Sequence, residues 1–191
     1  MSSPVELCNR ALTRLGDATI TAMDEDTPRA RACNAIFAQV RDSVLSEHRW
    51  NGTTRRAVLV QESDAPAFGP TYAYALPTEP YCLRVWEMLE EADDGYGWAV
   101  EGRTLTTDSA TASIVYTARV EDMATLPPLV HDAIVERLVQ ELAYTITGQA
   151  GVSESMTERA DVLVKRKKGL DGAEGSPRTV TTRSLLDVRQ S

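Results

Sequence analysis

Residues Leu126–Gly148 read LPPLVHDAIVERLVQELAYTITG, and this stretch decides how the rest of the chain is organised. Two prolines open it and a glycine closes it. That is the punctuation of one long helix, because Pro is tolerated in the first turn and Gly takes the left-handed residue past the last. Val130, Ile134, Leu138 and Leu142 run along one side, and Val135, Val139, Ala143 and Ile146 cover much of another. A surface helix buries a single stripe, whereas a helix apolar over so wide an arc is enclosed by several neighbours. This helix is therefore expected at the centre of a bundle.

Working outward, Ser3-Pro4-Val5-Glu6 is a capping box with proline at the first helical position. Cys8, Ala11, Leu12 and Leu15 follow at helical spacing, and Gly16 suits the stop. Thr27-Pro28 opens a second helix with Cys33, Phe37, Val40 and Val44 as its stripe, running to about His48. The short connector between the two, anchored by Ile20 and Met23, predicts an antiparallel hairpin. On the far side of the central helix, Ser155-Met156-Thr157-Glu158 is a second capping box. The helix it starts is expected to end with Lys165-Arg166-Lys167-Lys168, before Gly169.

Between Trp50 and Arg119 the character changes. All three Trp and five of the six Tyr lie there. Tyr72, Tyr74 and Leu76 alternate with small residues as a half-buried strand does, and Cys82–Leu89 is a short apolar run. Trp98–Leu105 reads as two strands around Gly102, and Ala112–Ala118 as another. The resulting fold class is α+β, mainly α: a bundle of about four helices from residues 1–49 and 120–169, with a small antiparallel β region inserted at 50–119. Residues 170–191, anchored only by Val180, Leu185, Leu186 and Val188, form an extended tail expected to be disordered or to order on a partner.

The 191 residues carry a formal charge of −8. Residues 153–191 hold eight basic and six acidic groups, leaving 12 basic against 22 acidic in the remainder. Such a body lacks the cationic surface that binds phosphate backbones, so generic DNA or anionic-membrane binding is disfavoured. No apolar run approaches the ~18 residues of a membrane span, and no signal peptide is expected. Cys8, Cys33 and Cys82 are too scattered for a disulfide framework or zinc site and are read as buried thiols in a protein made in a reducing cytoplasm.

The search for chemistry returns no sharp site. His48 closes a helix, and His131 with Asp132 opens one, where the imidazole is expected to be half exposed. No nucleophile elbow, metal-ligand spacing or phosphate loop occurs, so no catalytic, metal or cofactor residues are expected. Gly95-Tyr96-Gly97 and Gly148-Gln149-Ala150-Gly151 lack the strand and helix that give glycine loops meaning. The acidic run Glu90, Glu91, Asp93, Asp94 is a candidate surface patch, most simply a solvated loop. Lys165–Lys168, with Arg178, Arg183, Leu185 and Leu186 beyond, are the candidate contacts to a partner protein or neighbouring copy.

One succession is more specific. Leu7-Cys8-Asn9-Arg10-Ala11-Leu12-Thr13-Arg14-Leu15-Gly16 is followed by Ile20, Asp24-Glu25-Asp26 and Ala30-Arg31-Ala32-Cys33-Asn34, then by Val40-Arg41-Asp42, Val44-Leu45 and His48-Arg49-Trp50-Asn51. This order closely resembles the tail tubular protein A family of short-tailed phages, the head-to-tail adaptors. Tyr72–Pro77, Cys82–Arg84, Ile114–Tyr116 and Asp122–Pro128 look like the family's later segments, so the resemblance spans about Val5 to Gly148. It departs at Gly52-Thr53, where the family typically continues Phe-Ala.

The resemblance implies a non-enzymatic virion protein at the head–tail interface. It implies a ring, dodecameric in the virion, that binds the portal above and the next tail or nozzle component below while DNA passes through the centre. On that reading the tail would order on the portal or a neighbour, and removing residues 170–191 would weaken portal binding. Three other readings compete. One is a stopper or head-completion protein that ignores the portal; another is a small virion hydrolase using His131, Asp132 and Glu136; the third is a host-directed regulator absent from virions.

Overall fold

The computed structural model describes residues 3–64, 66–90, 97–148, 161–167, 169 and 171. Its helices begin where side chains and prolines dictate. The Ser3 Oγ accepts from the Glu6 N–H at 3.2 Å and Pro4 stands in the first turn, opening α1 (Pro4–Arg14). The Thr27 hydroxyl accepts from Ala30 N–H ahead of Pro28, opening α2 (Pro28–Glu47), which ends at an extended His48. A 3₁₀ turn at Asn51–Thr53 then leads into seven strands. These are β1 (Thr54–Val58), β2 (Val60–Gln61), β3 (Tyr72–Ala75), β4 (Cys82–Met88), β5 (Trp98–Glu101), β6 (Thr104–Thr107) and β7 (Ser113–Ala118). After a second 3₁₀ turn, α3 (Pro128–Thr147) runs to Gly148, whose φ of 65° provides the left-handed cap. Residues 161–167, 169 and 171 are helical and are called α4.

The fold is α+β, and α3 is its hub. Val130, Ala133, Ile134, Val135, Leu138 and Leu142 are all essentially inaccessible, so the helix is wrapped as its apolar arc requires. Leu7, Ala11 and Leu12 of α1, Val40, Val44 and Leu45 of α2, and Val164 of α4 share its core. The expected α1–α2 hairpin is corrected here. Both helices lie chiefly along α3 and meet each other at few points, one being the Cys8–Cys33 thiol contact. The broad apolar face of α3 offers more surface to cover than the narrow stripe of α1 does.

The single small sheet expected from the sequence is two antiparallel sheets. The first has the order β1-β7-β4 and the second β2-β3-β6-β5. The chain crosses from one to the other at buried Leu59, between β1 and β2, two strands that the sequence reading missed. A two-residue strand whose valine is exposed gives too short an alternation to register. Both sheets contribute to a second core, with Tyr74 and Leu105 from one and Cys82, Ile114 and Tyr116 from the other. β7 is buried along almost its whole length because it is the middle strand of its sheet. The predicted strand pair around Gly102 is present as β5 and β6, with φ 63° at the turn glycine.

Trp50 joins helices to sheets. It is fully buried in the helical core and its indole N–H donates to the Val44 carbonyl at 2.9 Å. Gly52 follows it for a steric reason, since a Cβ there would stand 2.8 Å from Pro127 Cδ. That close approach accounts for the absence of a bulky residue at this point. Arg119 to Asp42 (2.7 Å), Arg49 to Glu87 (3.2 Å) and Arg84 Nη1 to the Ser46 carbonyl (3.1 Å) complete the joint.

Candidate functional site

Glu136 is almost fully buried on α3, one turn after Asp132, and buried carboxylates need cationic partners. Arg14 Nη1 lies 2.7 Å from Glu136 and Arg10 pairs with Asp132, both guanidiniums coming from α1. Lys167 Nζ reaches in from α4, 3.4 Å from Glu136 and 3.9 Å from Asp132. The five groups clamp α1, α3 and α4 together. A second cluster around Arg137 links α3 to Glu47 of α2 at 2.7 Å and to Asp161 of α4 at 3.6 Å.

This arrangement divides the predicted basic run. Lys167 faces inward and holds the fold together, while Lys165 and Arg166 are exposed and make no ion pair among the described residues. Helical periodicity separates them: neighbours in sequence point about 100° apart around the axis. The run also does not end its helix before Gly169, as expected, since residues 169 and 171 are still helical. Gly169 is not left-handed, and the helix is held beyond it by Asp171. That carboxylate is buried, lies 3.0 Å from His48 Nε2 and accepts from Asn51 N–H, while its carbonyl accepts from Asn51 Nδ2 at 2.9 Å. Nothing in the sequence marks Asp171, because its partners lie about 120 residues away.

His131 is also corrected. It is buried rather than half exposed, and its Nε2 lies 2.6 Å from the Met123 carbonyl. A carbonyl only accepts, so Nε2 carries the proton. Asp132 and Glu136 are each held by cations from α1 and α4. The three residues proposed for a hydrolase therefore do not form a base oriented by an acid.

Of the acidic patch, Glu90 is described. Its carboxylate accepts from Ser113 N–H at 2.6 Å, tying the end of β4 to the start of β7. Burial raises its pKa, but bonds from Ser113 and from its own N–H outweigh that and leave it below the usual carboxylate range. Glu91, Asp93, Asp94, Lys168, Arg178, Arg183, Leu185, Leu186 and the box at 155–158 lie outside the described residues.

All three thiols are buried and free. Burial pushes Cys82 up to about 11, and Cys8 is raised by its hydrogen bond with Cys33 and by burial. Among the described residues no group of His, Cys, Asp or Glu is gathered as a metal site requires, and no helix is long and apolar enough to cross a membrane. No family model matches the chain, and no curated protein is significantly similar to it.

Proposed function

We propose that the chain is a head-to-tail adaptor, a structural virion protein whose copies form a ring under a phage portal and join it to the next tail component. The observation that carries this reading is the fold of the stretch bearing the resemblance. Leu7, Cys8, Ala11, Leu12, Ile20, Cys33, Val40, Val44, Leu45 and Trp50 all enter one core with α3, so the matched residues act as a single folded unit. A helical unit with inserted β strands is also the architecture the resemblance implies. The acidic balance of the body suits a channel along which DNA slides without adhering, since like charge repels the phosphates. Of the cations expected to meet a portal or neighbour, Lys165 and Arg166 are exposed on α4.

The test is light scattering on a sizing column, for the chain alone and mixed with its portal ring. The expected result is co-elution at one fixed high mass with many copies per portal. Two unshifted peaks would overturn the adaptor reading in favour of a stopper that binds further down the tail.

A further inference from the structure

Among the described residues, the β core is left open along β5, an edge strand of the second sheet. The pairing registers set Val100 beside Leu105 and Leu105 beside Tyr74. Side chains paired directly across a sheet share a face. Val100, and Trp98 two residues before it, therefore lie on the face that carries the core. Leu105 and Tyr74 are buried on that face, yet Trp98 and Val100 keep 38% and 41% of their surface in water. Leu89, just past the end of β4, is half exposed, and Glu101 closes β5 in the open. Free edges are normally blunted by lysine, proline or a bulge, and β5 has none of these. A core face left open at an unblunted edge is a surface for another segment to cover.

We propose that residues 179–188 of the same chain cover this edge, adding to β5 as a further strand. They read TVTTRSLLDV, a β-branched run followed by Leu185, Leu186 and Val188. Strand addition satisfies the free backbone groups of β5, while Val180 and the leucines supply apolar surface for Trp98 and Val100. Arg183 brings the charge opposite to that of Glu101. The point at which the described chain ends favours the same copy. Asp171 is fixed by His48 and Asn51, and Arg49, next to His48, pairs with Glu87 of β4, the outer strand of the first sheet. Residues 172–178 span at most about 25 Å when extended, roughly the length of β4, so the following run has the reach it needs. Four strand residues fall far short of the ~1,600 Å² of a standard interface between separate proteins. A short tether instead holds the segment at an effective concentration on the order of mM, where a weak contact closes. The docking does not depend on the adaptor reading.

The test uses the full-length chain carrying Val100→Cys and Leu185→Cys, the native thiols being buried. In dilute solution a bismaleimide is expected to link the two within one chain. The yield should stand several-fold above that of a chain carrying Val162→Cys and Leu185→Cys, a control at another exposed position. A second full-length variant, Val180→Asp with Leu186→Asp, is expected to raise the acrylamide quenching of tryptophan fluorescence, and Trp98→Phe to abolish that rise. Yields equal to the control, or quenching that the aspartates leave unchanged, would overturn the docking. Links that form only between chains and grow with concentration would also overturn it, and would assign β5 to a second copy.

Discussion

A fully buried indole and a glycine two residues later share one constraint. Trp50 must enter the helical core while the chain turns toward β1, and Gly52 passes Pro127 too closely for a side chain. Gly52→Ala is therefore expected to lower stability by about 1–3 kcal/mol in urea titrations, the usual cost of overpacking. Pro127→Ala in the same background should recover much of it, because coupled neighbours do not add independently. Glu90 makes a second residue-scale claim. Its folded pKa is depressed, so its contribution is present above the unfolded carboxylate value of about 4.3 and lost as pH falls through the lower folded value. Glu90→Gln should melt below the parent at pH 7, and the two melting temperatures should converge as the medium is acidified past that window. A constant difference at all pH values would show that the charge is irrelevant.

Along one helix, α4, adjacent cations have different duties. Lys167→Ala strips Glu136, which is almost completely buried, of one of its two cations and should cost on the order of 1–3 kcal/mol, seen in thermal melts. Lys165→Ala with Arg166→Ala should leave stability within about 0.5 kcal/mol, as exposed substitutions do, and weaken portal capture instead. Equal melting of the two variants would mean that the buried pair contributes nothing. The same helix refines the truncation test. Cutting at 170 removes Asp171 and with it the partner of His48 and Asn51, whereas cutting at 172 keeps that anchor and removes only the residues beyond it. The basic run was legible as a cationic turn. Which of its members points inward was not, because that depends on the carboxylates of α3 opposite.

At the scale of the molecule, two cores share one joint. The helical core is organised by α3 and the β core by facing sheets, and Trp50, Arg119 and Arg84 tie them.

The sequence by itself determined the helix starts, the centrality of α3 and the β5–β6 pair. Ser3, Thr27, Pro4, Pro28, Gly102 and Gly148 act through their own backbones and immediate neighbours, and an apolar arc is a property of a single helix. Only the tertiary structure decided the division into two sheets, the burial of His131, the inward turn of Lys167, the extension of α4 to Asp171 and the exposure of β5. Each of those depends on what lies opposite in space. Burial and charge pairing are set by partners distant in the chain, which no local pattern records.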